Sequence, residues 1–543
     1  MLLPPVSATI LAKMTRQALL ILLASTVLGL AIRGWNLGRL GLVHFDEGIY
    51  ATSAAALADS SAIDPGLIAY APPAYPILVS VAFRVLGPSD TAAILVSILA
   101  ATATIPLLSR LADRAFGPPA GSLAAILSAM WGGHIAFSRM ALTDATFLFA
   151  WTLGLIAAAR LIERPTPGRV LLAGLAIGLA QCTKYNGWLL VPVMFAAALP
   201  IRKPRGRLIA ALLFSALLAA LLYFPWFRFV EGHGGYKALL RHQSGYVLGI
   251  LAWPHDARIQ MDQVEALSGL PNWGIVGRCL LASMAMAGLL VPLPDRLRHV
   301  GTVASIIGVA AVPSIAWWIA LISLQAGLID TRPWRRVLCW SWLILAVLTP
   351  MYHPYARLWL PVQASSLVLA SGMAFDRARS TKFGRSWSVA VAVAAILFLA
   401  SFGRGRPLPG LLEPSDTLRT ACLQASAEVL REPDRVPTLA RPSVLFYLAS
   451  RIRFARLADP GSARTVVGFG PSAWLLIDEI QWRQGDSGGG SIDPERWREF
   501  GRWPTPLNLP TWLDVDPSAA SSPSDARDAS LILYRPPRSD RSP

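Results

Sequence analysis

Charge is scarce in this sequence, and cysteine is scarcer. Only 15% of its 543 residues are charged, against about 25% in soluble globular proteins. With 54% hydrophobic residues and a mean hydropathy of +0.49, that shortfall argues against an ordinary soluble domain. It points to a multi-spanning membrane protein. The cysteines, Cys182, Cys279, Cys339 and Cys422, form no Cys-x-x-Cys pair. That argues against a zinc or disulfide framework and favours buried apolar thiols. A phosphate loop is missing too: Gly485-Asp486-Ser487-Gly488-Gly489-Gly490-Ser491 lacks the lysine and the helix context. No nucleotide cofactor is expected.

Acidic residues are outnumbered, giving a net charge of +17. The excess arginine falls in short loops between apolar runs, the pattern of cytoplasmic loops facing an anionic leaflet. Nucleic acid is therefore not an expected partner; the lipid bilayer is.

Six basic clusters anchor a topology. They are Lys13/Arg16, Arg110/Arg114, Arg160/Arg164/Arg169, Arg202/Lys203/Arg205/Arg207, Arg332/Arg335/Arg336 and Arg377/Arg379/Lys382/Arg385. The first run, Gln17 to Ile32, reads as an uncleaved span because Leu28-Gly29-Leu30-Ala31 is a poor cleavage site. Further spans are expected near 90–109, 118–138, 145–160, 170–182, 187–201, 208–229, 337–350, 357–374 and 387–402. The region 273–328 adds one or three crossings, making roughly 11 or 13 in all. Pro72 to Gly87 is apolar but short, and reads as a helix lying in the interface. The expected fold is an all-α polytopic membrane bundle over residues 1–403, with outer loops 35–89 and 230–272. A small α/β domain outside the membrane follows over 404–543. In that domain Asp416 to Arg431 reads as a helix, and Ser443–Tyr447, Thr465–Gly468, Trp474–Ile477 and Leu531–Tyr534 read as strands.

Under this topology the unusual polar residues gather on the outer side: Asp46, Glu47, Arg139, Asp144, Lys184, His233, His242, His255, His353 and Arg357. A carboxylate pair beside a hydrocarbon slab is costly to desolvate unless it serves a cation, a proton or a polar substrate. His233, His242 and His255 match no standard zinc spacing. Their loop is expected to help shape a site on the outer side.

Four segments carry a family likeness. They are Phe45-Asp46-Glu47-Gly48-Ile49-Tyr50-Ala51, Pro72-Pro73-Ala74-Tyr75-Pro76 through Val85-Leu86-Gly87, Ser138-Arg139-Met140-Ala141-Leu142-Thr143-Asp144, and His353-Pro354-Tyr355-Ala356-Arg357-Leu358-Trp359-Leu360-Pro361. Over roughly residues 15–375 the chain resembles the GT-C superfamily of polyprenyl-phosphate-dependent glycosyltransferases. The closest likeness is to bacterial protein O-mannosyltransferase-like and aminoarabinose-transferase-like enzymes. Many relatives carry a lysine just before the paired prolines; here Ala71 stands there, and Lys184 or Arg357 are candidates to supply the charge.

The resemblance implies a multi-pass bacterial plasma-membrane enzyme with its active site on the extracytoplasmic face. It would move a sugar from a polyprenyl-phosphate donor to a glycolipid, polysaccharide or protein acceptor. Asp46, Glu47 and Asp144 are the catalytic candidates, with Asp46 as base or acceptor-orienting carboxylate. Tyr50, Arg139, Lys184, Tyr185, His353, Tyr355 and Arg357 are the substrate-binding candidates. Arg357 is the best phosphate ligand, because a guanidinium grips phosphate bidentately. Asp46 and Asp144 together suit a divalent cation with oxygen ligands, and metal dependence stays open. The alternative is a transporter or flippase for lipid-linked sugars. Such a protein more often shows broken helices and mid-span ionisable residues.

Overall fold

A computed structural model describes residues 16–59, 71–199, 205–267, 332–376, 411–429, 436–449, 451, 454–456, 474–480, 497–515 and 528–535. Its helices are α1 (Arg16–Arg33), α2 (Phe45–Ala58), α3 (Ala74–Leu86), α4 (Asp90–Phe116), α5 (Pro118–Met130), α6 (Gly132–Ser138), α7 (Thr143–Glu163), α8 (Pro167–Thr183), α9 (Leu190–Ala198), α10 (Arg205–Gly232), α11 (Gly235–Ser244), α12 (Trp253–Ala266), α13 (Pro333–Leu348) and α14 (Leu360–Asp376). The C-terminal part adds α15 (Thr417–Val429), β1 (Val436–Leu439), α16 (Pro442–Leu448), β2 (Phe454–Arg456), β3 (Leu475–Asp478), β4 (Arg498–Pro504), α17 (Leu509–Val515) and β5 (Ser530–Arg535).

Hydrocarbon about 30 Å thick needs roughly 20 apolar residues of helix. Among the described residues four helices are long and apolar enough: Arg16–Arg39 with its 3-10 extension, Asp90–Phe116, Thr143–Glu163 and Gly206–Gly232. The pair α5 and α6, bent by 53° at Trp131, makes a fifth if read as one broken span. The expected span at 118–138 is therefore interrupted. Helices α8, α13 and α14 have 17, 16 and 17 residues, just short of a full crossing, and 3-10 turns prolong α13 and α14 at the cavity end. The expected span at 187–201 is a 3-10 turn (Tyr185–Leu189) followed by the nine-residue α9. Segments 273–328 and 387–402, and with them the total of crossings, lie outside the described residues.

Lipid-facing surfaces are recognisable by apolar side chains turned outward. Leu20, Leu23 and Val27 on α1, and Leu213, Phe214, Leu217, Leu221 and Phe224 on α10, are all exposed. Helix α7 is the opposite case, buried on nearly all sides as the bundle's central post. Helix α3 covers the stretch expected to lie in the interface, Pro72–Gly87. It buries Tyr75, Val79 and Phe83 and leaves Ile77, Leu78, Val81, Val85 and Leu86 exposed.

The extramembrane part is built on a five-stranded sheet of order β2-β1-β3-β5-β4. Strands β2, β1 and β3 run parallel; β5 is antiparallel to both β3 and β4. The expected strands at 474–477 and 531–534 are β3 and β5. The expected strand at Ser443–Tyr447 is instead helix α16. Pro442 starts it at the first turn, where no amide proton is needed. Val444, Leu445 and Leu448, at helical spacing, form its buried face. Residues 465–468 lie outside the described set.

This part is pressed onto the segment leading into α2. The Arg441 guanidinium donates to the Val43 carbonyl at 2.7 Å and the Ser443 hydroxyl to the His44 carbonyl at 2.6 Å. The Leu42 amide donates to the Tyr447 hydroxyl at 2.7 Å. Gly48 is required by this contact: a Cβ there would lie 2.0 Å from the Ser443 nitrogen.

Candidate functional site

The start of α2 fixes the leading carboxylate. His44 is its N-cap: the ring Nδ1 accepts the Asp46 amide at 3.0 Å, which puts a neutral ring's proton on Nε2. Glu47 completes a capping box by accepting the His44 amide at 2.7 Å. The same oxygen accepts the Val43 amide, and its other oxygen the Ala141 amide, both at 2.7 Å. Burial raises the Glu47 carboxyl above its ordinary value, and these three amides offset part of the rise. Glu47 thus ties α2 to the Ala141 turn, and it does not line the cavity.

Asp46 points into a cavity of about 740 Å³. Its Oδ2 lies 2.7 Å from Arg357 Nη1, a charge-assisted hydrogen bond. Burial by itself would raise the Asp46 carboxyl. Arg357, followed by His44, outweighs that effect and holds it below its ordinary value. Arg357 sits on the 3-10 turn Ala356–Trp359, at the junction of α13 and α14. Burial opposes its charge, and the carboxylates of Asp46, at 2.7 Å, and Asp514, at 3.1 Å, compensate it. The Tyr355 ring backs the guanidinium at 4.9 Å.

A second ion pair lies at the same cavity. Lys184 Nζ lies 2.5 Å from Asp144 Oδ1. Lys184 caps α8 where the chain turns into the next 3-10 helix, and Gly187 permits that turn. A Cβ at Gly187 would lie 2.3 Å from the Ala180 carbonyl carbon.

The cavity therefore unites many of the residues singled out from the sequence. Asp46, Tyr50, Lys184, Tyr185, His353, Tyr355 and Arg357 line it, and Asp144 stands behind Lys184. Ala71 lines it as well, with both candidate substitutes for the expected lysine on the same walls. Arg139 does not join them. It donates to the carbonyls of Arg33 at 3.0 Å, Trp35 at 2.6 Å and Leu412 at 3.3 Å, bracing the end of α1. Asp46 and Asp144, offered from the sequence as cation ligands, are met by Arg357 and Lys184. Among the described residues no group of three or more His, Cys, Asp or Glu is placed to hold a metal ion.

Several lining residues belong to no sequence motif, although Gln243 and Tyr246 fall in the outer loop 230–272 expected to help shape the site. Gln243 and Tyr246 come from the end of α11 and the turn after it, with Gln243 accepting the Tyr352 hydroxyl at 2.8 Å. Asp514 comes from α17, more than 150 residues beyond Arg357 in the chain. Its Oδ2 lies 3.1 Å from Arg357 Nε and 3.1 Å from His44 Nε2.

The fold has counterparts among solved structures. ArnT from Cupriavidus metallidurans bound to undecaprenyl phosphate superposes with a TM-score of 0.55 at 14% identity, over 95% of this chain and 98% of that one. The oligosaccharyltransferase of Archaeoglobus fulgidus, in its apo form, gives 0.52 at 14% identity, over 86% and 70%. The chain shares the fold of these two proteins. The sequence profile of the dolichyl-phosphate-mannose-protein mannosyltransferase family matches residues 70–228, from just before α3 into α10 of that fold. No significant match to a curated protein sequence was found.

Proposed function

We propose that this chain is an integral membrane glycosyltransferase. It moves a sugar from a polyprenyl-phosphate donor to an extracytoplasmic hydroxyl acceptor, in a bacterial plasma membrane. The observation that carries the reading is the buried Asp46–Arg357 pair, with Lys184 lining the same cavity. The GT-C fold supports it, since a solved relative by fold holds undecaprenyl phosphate.

Transfer breaks the bond between the anomeric carbon and the phosphate oxygen and forms one to the acceptor oxygen. The acceptor hydroxyl proton needs a carboxylate, and the leaving phosphate needs positive charge. Asp46 serves the first need and Arg357 the second, with Lys184 adding charge nearby. Asp46 stays ionised because Arg357 outweighs its burial. A phosphate that draws charge from Arg357 raises the basicity of Asp46 when the donor is in place. Tyr50, Tyr185 and Tyr355 offer flat faces and hydroxyls to the sugar.

The test is transfer of radiolabelled sugar from a polyprenyl-phosphate donor to a cell-envelope extract by the purified protein. Labelled acceptor in the wild type supports the reading. Movement of the donor across sealed vesicles with no new glycosidic bond refutes it.

A further inference from the structure

Asp514 is the one acid of the C-terminal sheet region that reaches the cavity among its lining residues. Its side chain is only 3% exposed, yet neither of its oxygens has a hydrogen-bond partner among the described residues. It lies 3.1 Å from Arg357 Nε and from His44 Nε2, with neither contact aligned as a hydrogen bond. A buried carboxylate without hydrogen bonds is expensive. By contrast, Asp46 makes an aligned hydrogen bond of 2.7 Å to Nη1 of the same guanidinium.

A guanidinium offers a planar fork whose Nε edge suits a carboxylate or phosphate bidentately. Asp514 occupies that edge without matching it. Asp46 holds Nη1. A phosphate can therefore take the Nε edge without disturbing the Asp46 contact.

We infer that Asp514 is a stand-in for the donor's phosphate: it neutralises Arg357 in the empty site, and a lipid phosphate displaces it. The inference rests on the glycosyltransferase reading and gives the C-terminal region a role in it. Helix α17 carries Asp514 to the cavity. It is anchored on one side by Trp512, which packs with Val43, Ile480 and Leu507, and on the other by the Gln263 amide, which donates to the Leu513 carbonyl at 3.1 Å. Asp514 is a positioning residue, acting through Arg357. It sets how tightly the phosphate is held and how readily the spent lipid phosphate leaves.

The experiment is binding of undecaprenyl phosphate to purified full-length wild type, Asp514→Asn and Asp514→Glu, alongside donor KM and kcat. Removing the competing anion should tighten binding and lower KM by at least about fivefold, without raising kcat. Asp514→Glu should restore the wild-type values. In the wild type, adding the lipid should also increase hydrogen exchange over residues 509–515, a readout that needs no variant. Equal or weaker binding by a folded Asp514→Asn overturns the inference, as does unchanged exchange on lipid binding. If the wild type does not bind the lipid at all, the donor reading falls and the inference with it.

Discussion

Asp46 and Arg357, 311 residues apart in sequence, meet at 2.7 Å inside the cavity. Because the guanidinium is what keeps the Asp46 carboxyl below its ordinary value, the acid side of the pH profile depends on it. Asp46 should stay ionised below about pH 3.9, the value of a free aspartate, and lose its charge only as pH falls through its depressed pKa. In Arg357→Gln, burial acts on Asp46 without that compensation. The acid limb of kcat/KM should then move to higher pH, and donor KM should rise. An unmoved limb would show that Asp46 does not govern it.

Glu47 is predicted to act through structure. Glu47→Gln keeps one acceptor oxygen but turns an amide toward backbone donors that the carboxylate now satisfies. Leaving a buried donor unsatisfied costs about 1–3 kcal/mol. Thermal unfolding should show a loss of that order, larger than for Asp46→Asn.

Gly48→Ala tests the docking of the C-terminal region. The new methyl would meet the Ser443 nitrogen at 2.0 Å and the Pro442 carbonyl carbon at 2.3 Å, both backbone atoms. The contact between α2 and α16 should open. Limited proteolysis should then release the C-terminal fragment faster than from the wild type, with transfer reduced.

Lys184→Met should leave Asp144 buried and uncompensated. Breaking a buried pair costs about 3–5 kcal/mol, and the 21% exposure of the Lys184 side chain puts the loss at or below the lower end. Asp144→Asn in the same chain should recover much of that stability in denaturant unfolding, but not the donor affinity that the lysine charge supplies.

The sequence made the bundle and its polar face readable because apolar run length and arginine placement report directly on the bilayer. It also marked Asp46, Lys184 and Arg357, since ionisable groups beside apolar runs stand out. Glu47 stood out for the same reason, but its three amide partners were not legible. The histidine cap hid them, because Ser, Thr, Asp and Asn are the usual signals. Asp514 was invisible, lying in a short helix with no motif and meeting Arg357 only through the docking of the sheet. Strand β4 escaped because Arg498, Glu499 and Phe500 are exposed, leaving no apolar alternation to read. Helix α16 was taken for a strand because five apolar or small residues cannot by themselves separate a period of 2 from one of 3.6.

The most direct test of the account is the rate of sugar transfer by Asp46→Asn, with undecaprenyl phosphate binding and thermal unfolding measured on the same preparation. The account predicts a fall of about 10²–10⁴-fold in kcat in a protein that still folds and still binds the lipid. Transfer at the wild-type rate would contradict it.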